Sequence, residues 1–125
     1  MTRITTRRHK YGAVSTVIDG VRFASKKEAR RYGELKLLEK AGHIARLQLQ
    51  RRFELCAPKT NLRGDVTDKD WMNTVGYYVP DFCYDELTQA ATRFIVEDVK
   101  GVRTQVYALK KRWFEAQYGI TIMET

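Results

Sequence analysis

Two segments of helical period bracket three runs that alternate with a period of two, and this order confines the chain to a mixed helix and strand architecture. In SKKEARRYGELKLLEKAG (25–42), Ala29, Tyr32, Leu35 and Leu38 recur at helical spacing. Ser25 can cap the start, Glu28 follows three residues later as in a capping box, and Gly42 marks the end. Glu28 points into the middle of the apolar face. TQVYALKKRWFEAQYG is a second helix bounded by Thr104 and Gly119, with Val106, Leu109, Trp113, Phe114 and Ala116 on its apolar face. Lys110 and Gln117 share that side, and Lys111, Arg112 and Glu115 face solvent.

Between the helices, Leu47, Leu49, Phe53 and Leu55 alternate with Gln48, Gln50, Arg52 and Glu54, which predicts one strand over 44–55. GYYVPDFCYDE and RFIVEDVKG are the second and third, an antiparallel pair joined through DELTQAATR, with Pro80 demanding an edge or bulged place. Residues 56–75 lose all periodicity and read as an extended loop, with Trp71 and Met72 folded back onto the body. STVIDGVRF is a hairpin turning on Asp19-Gly20, and ITIM is a short last strand. Residues 1–13 are a basic flexible arm and residues 14–125 a single domain. The fold class is α+β: a mixed central sheet flanked by two helices, with an N-terminal β-hairpin.

Twenty-three Lys and Arg against fifteen Asp and Glu leave a net charge of +8, unevenly spread. Residues 1–31 hold nine basic side chains against Asp19 and Glu28, whereas residues 65–98 hold eight acids against Lys69 and Arg93. A basic rim around an acidic centre suits a polyanionic partner, because Lys and Arg release counterions on binding phosphates. Solubilising charge would give the same total. No apolar run is long enough to cross a bilayer and none follows the basic N-terminus as a signal segment, so a cytoplasmic protein is expected. Cys56, Cys83, His9 and His43 lack partners at metal-ligand spacing.

The stretch FIVEDVKG (94–101) places Glu97, Asp98 and Lys100 in an apolar strand, and buried charge is costly unless paired or metal-bound. Side chains alternate along a strand, so Asp98 and Lys100 share one face and Glu97 takes the other, where a surface or salt-bridging role is expected. A bulge would reverse that parity and make Glu97 a rival to Asp98. Pairing the second and third strands brings Asp81 beside Asp98, and two such carboxylates repel unless a cation lies between them. A Mg²⁺ ion, with Mn²⁺ as a substitute, would take oxygens from Asp81, Asp98 and the Val99 carbonyl. Lys100 would then act on the attacking water or on the charge developing at phosphorus. The structural alternative is a salt bridge from Lys100 to either Asp.

Pro80-Asp81, sixteen intervening residues, then Asp98-Val99-Lys100 resembles the PD-(D/E)XK nuclease signature, and the order α, β, β, β, α, β resembles that superfamily's restriction-endonuclease-like core. VIDGVRFASKKEARRYGELKLLEKAGHI, LQLQRRFEL, YVPDF and VEDVKGVRTQVYALKKRWFEAQYGI extend the similarity over nearly the whole chain. They resemble a family of small phage-encoded proteins held to be nucleases of this type. The resemblance implies a metal-dependent DNA endonuclease for Holliday junctions or other branched DNA in phage recombination, replication or packaging. It also implies that Glu28, in Ser25-Lys26-Lys27-Glu28, joins the metal site from the first helix; the alternative is the capping box alone, or both.

Arg7, Arg8, Lys26, Lys27, Arg51 and Arg103 read as contacts to the DNA backbone, modest and independent of sequence. Lys110 either holds a phosphate or extends its ammonium past the apolar face to water. Gln50 either lines the site or faces solvent. A homodimer would suit a two-fold symmetric DNA target, with the hairpin at 15–23 as its interface. The other class of function open to such a chain is a non-catalytic DNA-binding or packaging accessory protein on the same fold.

Overall fold

Helices α1 (Lys26–Lys40) and α2 (Gln105–Tyr118) stand where their caps place them in the computed structural model, which describes residues 5–8 and 14–125. For residues 5–8, 14 and 66–71 it describes the backbone alone. The Ser25 hydroxyl accepts from the Glu28 N–H at 3.1 Å, and Thr104 accepts from the Tyr107 N–H at 3.1 Å. After α1, the Gly42 N–H donates to Glu39 O at 3.1 Å and the His43 N–H to Leu38 O at 3.0 Å. Gly42 reaches φ +82°, closing the helix as a Schellman motif.

The fold is α+β, with a mixed sheet, two helices and the N-terminal hairpin expected from the sequence. Strands β1 (Thr5–Arg8), β2 (Val14–Ile18) and β3 (Val21–Phe23) form an antiparallel sheet in that order. Asp19 and Gly20 both take positive φ, at +53° and +78°, as a type I′ turn requires. Part of the expected arm is therefore strand β1, with Arg7 paired to Ser15 and Arg8 to Val14. The rest of the arm, 1–4 and 9–13, lies outside the described residues. A second sheet has the order β4 (Ile44–Leu49), β7 (Phe82–Leu87), β8 (Thr92–Asp98), β9 (Met123–Glu124), and β9 runs parallel to β8. Strands β5 (Phe53–Thr60) and β6 (Val66–Tyr78) make an antiparallel ribbon.

The chain divides into two compact units: residues 1–47 with 84–94, and residues 48–83 with 95–125. In the first, Ala29, Tyr32 and Leu35 are buried as the helical period requires, and the Phe23 and Tyr32 rings lie 4.9 Å apart. Ser15, Thr16 and Phe23 are buried as well, so the hairpin at 15–23 packs on α1 and only its turn and Arg22 stand out to solvent. Arg46 Nε donates to Asp85 at 2.6 Å, and the Thr88 and Ala91 backbones close the turn between β7 and β8.

In the second unit Phe114 sits at the centre of an aromatic cluster, with ring centroids 5.1 Å from Phe53, 5.1 Å from Tyr78 and 4.9 Å from Tyr118. Helix α2 is fastened to the outer edge of β5. Gln117 donates to Glu54 O at 3.0 Å and accepts from the Cys56 N–H at 2.8 Å, imitating a neighbouring strand. Trp113 Nε1 donates to Cys56 O at 3.0 Å and the Tyr118 hydroxyl to Glu54 O at 2.7 Å.

These bonds turn the helix away from the expected orientation. Val106 and Leu109, expected inside, are 63% and 59% exposed, and Ala116 is exposed too. Lys111 and Glu115, expected in solvent, are half-buried; Lys111 pairs with Glu124 at 2.8 Å, and Glu115 accepts from the Ile122 N–H at 2.8 Å.

Three strand boundaries also differ. The expected strand over 44–55 is broken into β4 and β5 at Gln50, whose φ of +51° leaves the strand region and whose N–H donates to Asp81 O at 3.2 Å. The expected strand over 76–86 stops at Tyr78 and resumes at Phe82, because Pro80 supplies no ladder donor. The loop expected over 56–75 is mostly the β5–β6 ribbon. Its turn is built by Asn61, whose side-chain oxygen accepts from the N–H groups of Arg63 at 2.9 Å and Asp65 at 3.0 Å, with Gly64 at φ +86°. Met72 is exposed instead of folded back, and the side chain of Trp71 lies outside the described part.

Candidate active site

The break at Pro80 frees Asp81 to act as a side chain at the end of β8. Strand β8 ends at Asp98, and β9 continues to pair beyond it: the Thr125 N–H donates to Asp98 O and the Lys100 N–H to Thr125 O, both at 3.0 Å. The Val99 N–H points to the other side, where the Asp81 carboxylate accepts it at 2.7 Å. Thus Val99, expected to offer a carbonyl to a metal, uses its amide to hold Asp81 at the strand end.

Asp98 and Lys100 share a face, as the parity argument requires. The Lys100 ammonium lies 3.2 Å from Asp98 Oδ2, with the lysine side chain 17% and the aspartate side chain 4% exposed. The salt bridge weighed as the structural alternative is therefore present. The same Oδ2 accepts a short hydrogen bond from the Tyr78 hydroxyl. Both contacts made by the Asp98 side chain with described residues thus fall on one oxygen, and Oδ1 is left for another ligand. Burial, and then the bond to Asp98, push the Tyr78 phenol well above its ordinary value, so it stays protonated as the donor to that carboxylate.

Lys100 is also held from behind. Its Nζ lies 3.6 Å from the Tyr107 ring centroid, a cation–π contact that keeps the ammonium beside Asp98. The Tyr107 hydroxyl donates to Glu124 at 3.1 Å, and Glu124 also accepts from Lys111 at 2.8 Å and Arg103 at 3.1 Å. Hydrogen bonds from Lys111 first and Arg103 next hold the Glu124 carboxyl down at about 2. Arg103, expected on DNA, is thus partly neutralised, although its side chain remains 66% exposed.

Glu97 departs from the surface position that was one of its two expected roles. It does face away from Asp98, yet it is fully buried, and it accepts from the Thr125 hydroxyl at 3.3 Å. Thr125 stands two residues beyond Met123, the ladder partner of Glu97 on β9, and so on the same face of the sheet as Glu97. Glu28 is buried on α1 in the first unit, with its N–H capped by Ser25. Lys26 and Lys27 are exposed at the start of the same helix. In the second unit Arg51 is exposed, with its guanidinium 4.7 Å from the Phe53 ring centroid, and Lys110 is half-buried. Arg7 and Arg8 have side chains outside the described part.

Among the described residues no three His, Cys, Asp or Glu side chains gather as a ready metal cluster. Two carboxylates at one strand end, one of them with an oxygen left over, are nevertheless a donor set that suits Mg²⁺, which takes one or two protein carboxylates and fills its octahedron with water and phosphate. Sequence reasoning missed Tyr78 and Tyr107. Tyr78 shares parity with the apolar Phe82 and Pro80, which was the available signal for turning it inward. For Tyr107 there was none, because its place depends on how α2 rotates against β5.

Residues 8–123 match the model of a family described as protein of unknown function (DUF1064). No curated protein and no solved structure matches the chain. No helix among the described residues is long and apolar enough to cross a membrane.

Proposed function

The chain belongs to this family, whose description assigns no activity, and we propose that it is a Mg²⁺-dependent DNA endonuclease of the PD-(D/E)XK type acting on branched DNA. The observation that carries this reading is the Lys100 ammonium, held between the Asp98 carboxylate at 3.2 Å and the Tyr107 ring at 3.6 Å, at the strand end where Asp81 is anchored. A single salt bridge needs one carboxylate, whereas here Asp81 is fixed at the same strand end and the Tyr78 and Lys100 contacts of Asp98 both fall on Oδ2.

Asp81 and Asp98 would hold the ion, with the Val99 carbonyl as a further oxygen. Such an ion lowers the pKa of bound water and offsets phosphate charge. Lys100 would orient the attacking water and stabilise negative charge growing on the phosphorus oxygens. Tyr78 fixes the Asp98 carboxylate, and Tyr107 limits the travel of the lysine. Arg51 and Lys110 of the same unit would contact backbone phosphates, as would Lys26 and Lys27 in the other.

Supercoiled plasmid and a four-way junction, each incubated with Mg²⁺ or Mn²⁺, test the reading. Cleavage by the wild type should disappear in Asp81→Ala, Asp98→Ala and Lys100→Ala, while DNA affinity stays within about threefold because phosphate contacts lie elsewhere. Wild-type protein inert on both substrates, or cleavage surviving in Asp98→Ala, would sink it. Salt-dependent binding that ignores divalent metal and both aspartates would instead mark a non-catalytic DNA-binding protein.

A further inference from the structure

The outer face of the β5–β6 ribbon carries a pair that the proposed chemistry does not use. The exposed Arg52 guanidinium lies 4.0 Å from the centroid of the Tyr77 ring, which is itself 38% exposed. Consecutive residues of a strand face opposite ways, so Tyr78 turns inward to Asp98 while Tyr77 turns outward to Arg52. Glu54, paired across the ribbon with Tyr77, has its carboxylate on the Thr74 hydroxyl at 3.2 Å. Among the described residues Arg52 makes no ion pair. Val75, the extra residue where the ribbon's register shifts, and Val79, just past the end of β6, are exposed on either side of Tyr77 in the chain.

The pair is tied to the candidate site through the backbone. The Gln50 N–H donates to Asp81 O at 3.2 Å and so anchors the Gln50-Arg51-Arg52 turn against the segment that holds Asp81. Asp81 itself comes four residues after Tyr77.

We propose that the Arg52–Tyr77 pair is a stacking site for an unpaired DNA base beside the acidic site; this rests on the nuclease reading and specifies its substrate as DNA carrying unpaired nucleotides. A lone arginine would suffice for a phosphate. An arginine held 4.0 Å over a ring, with exposed valines nearby in the chain, presents instead a cationic and partly apolar surface that suits the face of a base. Base faces are inaccessible inside a duplex, so the ligand is a single-stranded tract such as a gap, a flap or an opened branch point. The ring also limits the freedom of the guanidinium, which reduces the entropy lost when a base settles on it.

The test is binding of the full chain in EDTA to fluorescent oligothymidylate, a gapped duplex and a blunt duplex, at one fixed salt concentration. Tyr77→Leu, which keeps bulk but removes the ring, should weaken binding to oligothymidylate and the gapped duplex about 5- to 100-fold and leave the blunt duplex within about twofold. Tyr77→Phe should behave as wild type, and Arg52→Gln should follow Tyr77→Leu with a smaller loss. Equal weakening on all three DNAs, an unaffected Tyr77→Leu protein, or a Tyr77→Phe loss as large as that of Tyr77→Leu would each overturn the proposal. So would a fall in oligomeric mass as the sole effect, since this surface would then seat a second copy of the chain. Cleavage in Mg²⁺ is scored separately. Lost selectivity with cleavage intact removes only the stacking site, whereas selective binding without cleavage of any DNA removes only the nuclease reading.

Discussion

Replacing Tyr78 by Phe isolates the hydroxyl that fixes Asp98. The ring can keep its place against Phe114, 5.1 Å between centroids, so apolar packing is conserved and the oxygen alone is lost. Asp98 is 3% exposed and would retain, among the described residues, only Lys100, at 3.2 Å, on its side chain. A hydrogen bond to a buried charge contributes about 1.5–3 kcal/mol, so Tyr78→Phe should destabilise the protein by about 2 kcal/mol. For a chain of this size that corresponds to a fall in Tm of roughly 8 °C. The decisive comparison is the same substitution in an Asp98→Ala background. There the hydroxyl has lost its acceptor and is itself a buried unpaired donor, so removing it should be neutral or stabilising. Urea unfolding of the four proteins at neutral pH supplies the cycle. If Tyr78→Phe costs about the same in both backgrounds, the hydroxyl does not serve Asp98 and the account of the site fails.

Two further outcomes follow from the same unit. Glu124 has a folded pKa of about 2 against an ordinary 4.5, so its contribution is complete above about pH 4.5 and fades as pH falls towards 2. Glu124→Gln should therefore cost about 1–2 kcal/mol near neutrality, allowing for screening of a side chain 20% exposed, and that difference should shrink at pH 3. A gap that stays constant from pH 6 to pH 3 in urea titrations would contradict this. Cys83 is fully buried, and burial pushes its thiol up to about 11, whereas Cys56 is half-exposed. Ellman's reagent should find one fast thiol in the native protein and two in denaturant, and Cys56→Ser should abolish the fast phase. Two fast native thiols would show that β7 opens readily.

The local code of this chain was easily read wherever one residue type had one use. Ser25, Thr104, Gly42 and Gly119 marked both helices, and Asp19-Gly20 marked a turn needing two positive φ values. Failures arose where a polar side chain replaces a backbone partner. Gln117 stands in for a strand beside β5, and this rotates α2 so that Val106 and Leu109 lose the burial their period predicts. Asn61 builds a ribbon turn from its own side chain, and Gln50 spends its amide on Asp81, which breaks a strand that alternates without fault in the sequence. Period counts apolar residues and is blind to such bonds.

The same distinction bears on which acid of FIVEDVKG carries the chemistry. Parity placed Glu97 and Asp98 on opposite faces, and the faces do differ, but both acids are buried, so burial alone cannot tell them apart. Their partners can. Glu97 takes a hydroxyl from Thr125 on the face it shares with Met123 of β9. Asp98 takes Tyr78 and Lys100 on a single oxygen, beside an Asp81 that is only partly buried and is anchored by the next amide of the chain. A carboxylate held by one oxygen is oriented without being fully satisfied, and a hard cation needs that state in a ligand. Glu97→Gln should therefore lower stability while leaving divalent-metal affinity unchanged, whereas Asp98→Asn should weaken Mn²⁺ binding in calorimetric titration. Weaker Mn²⁺ binding in Glu97→Gln alone would transfer the metal to the opposite face of the strand and leave Lys100 with a structural role only.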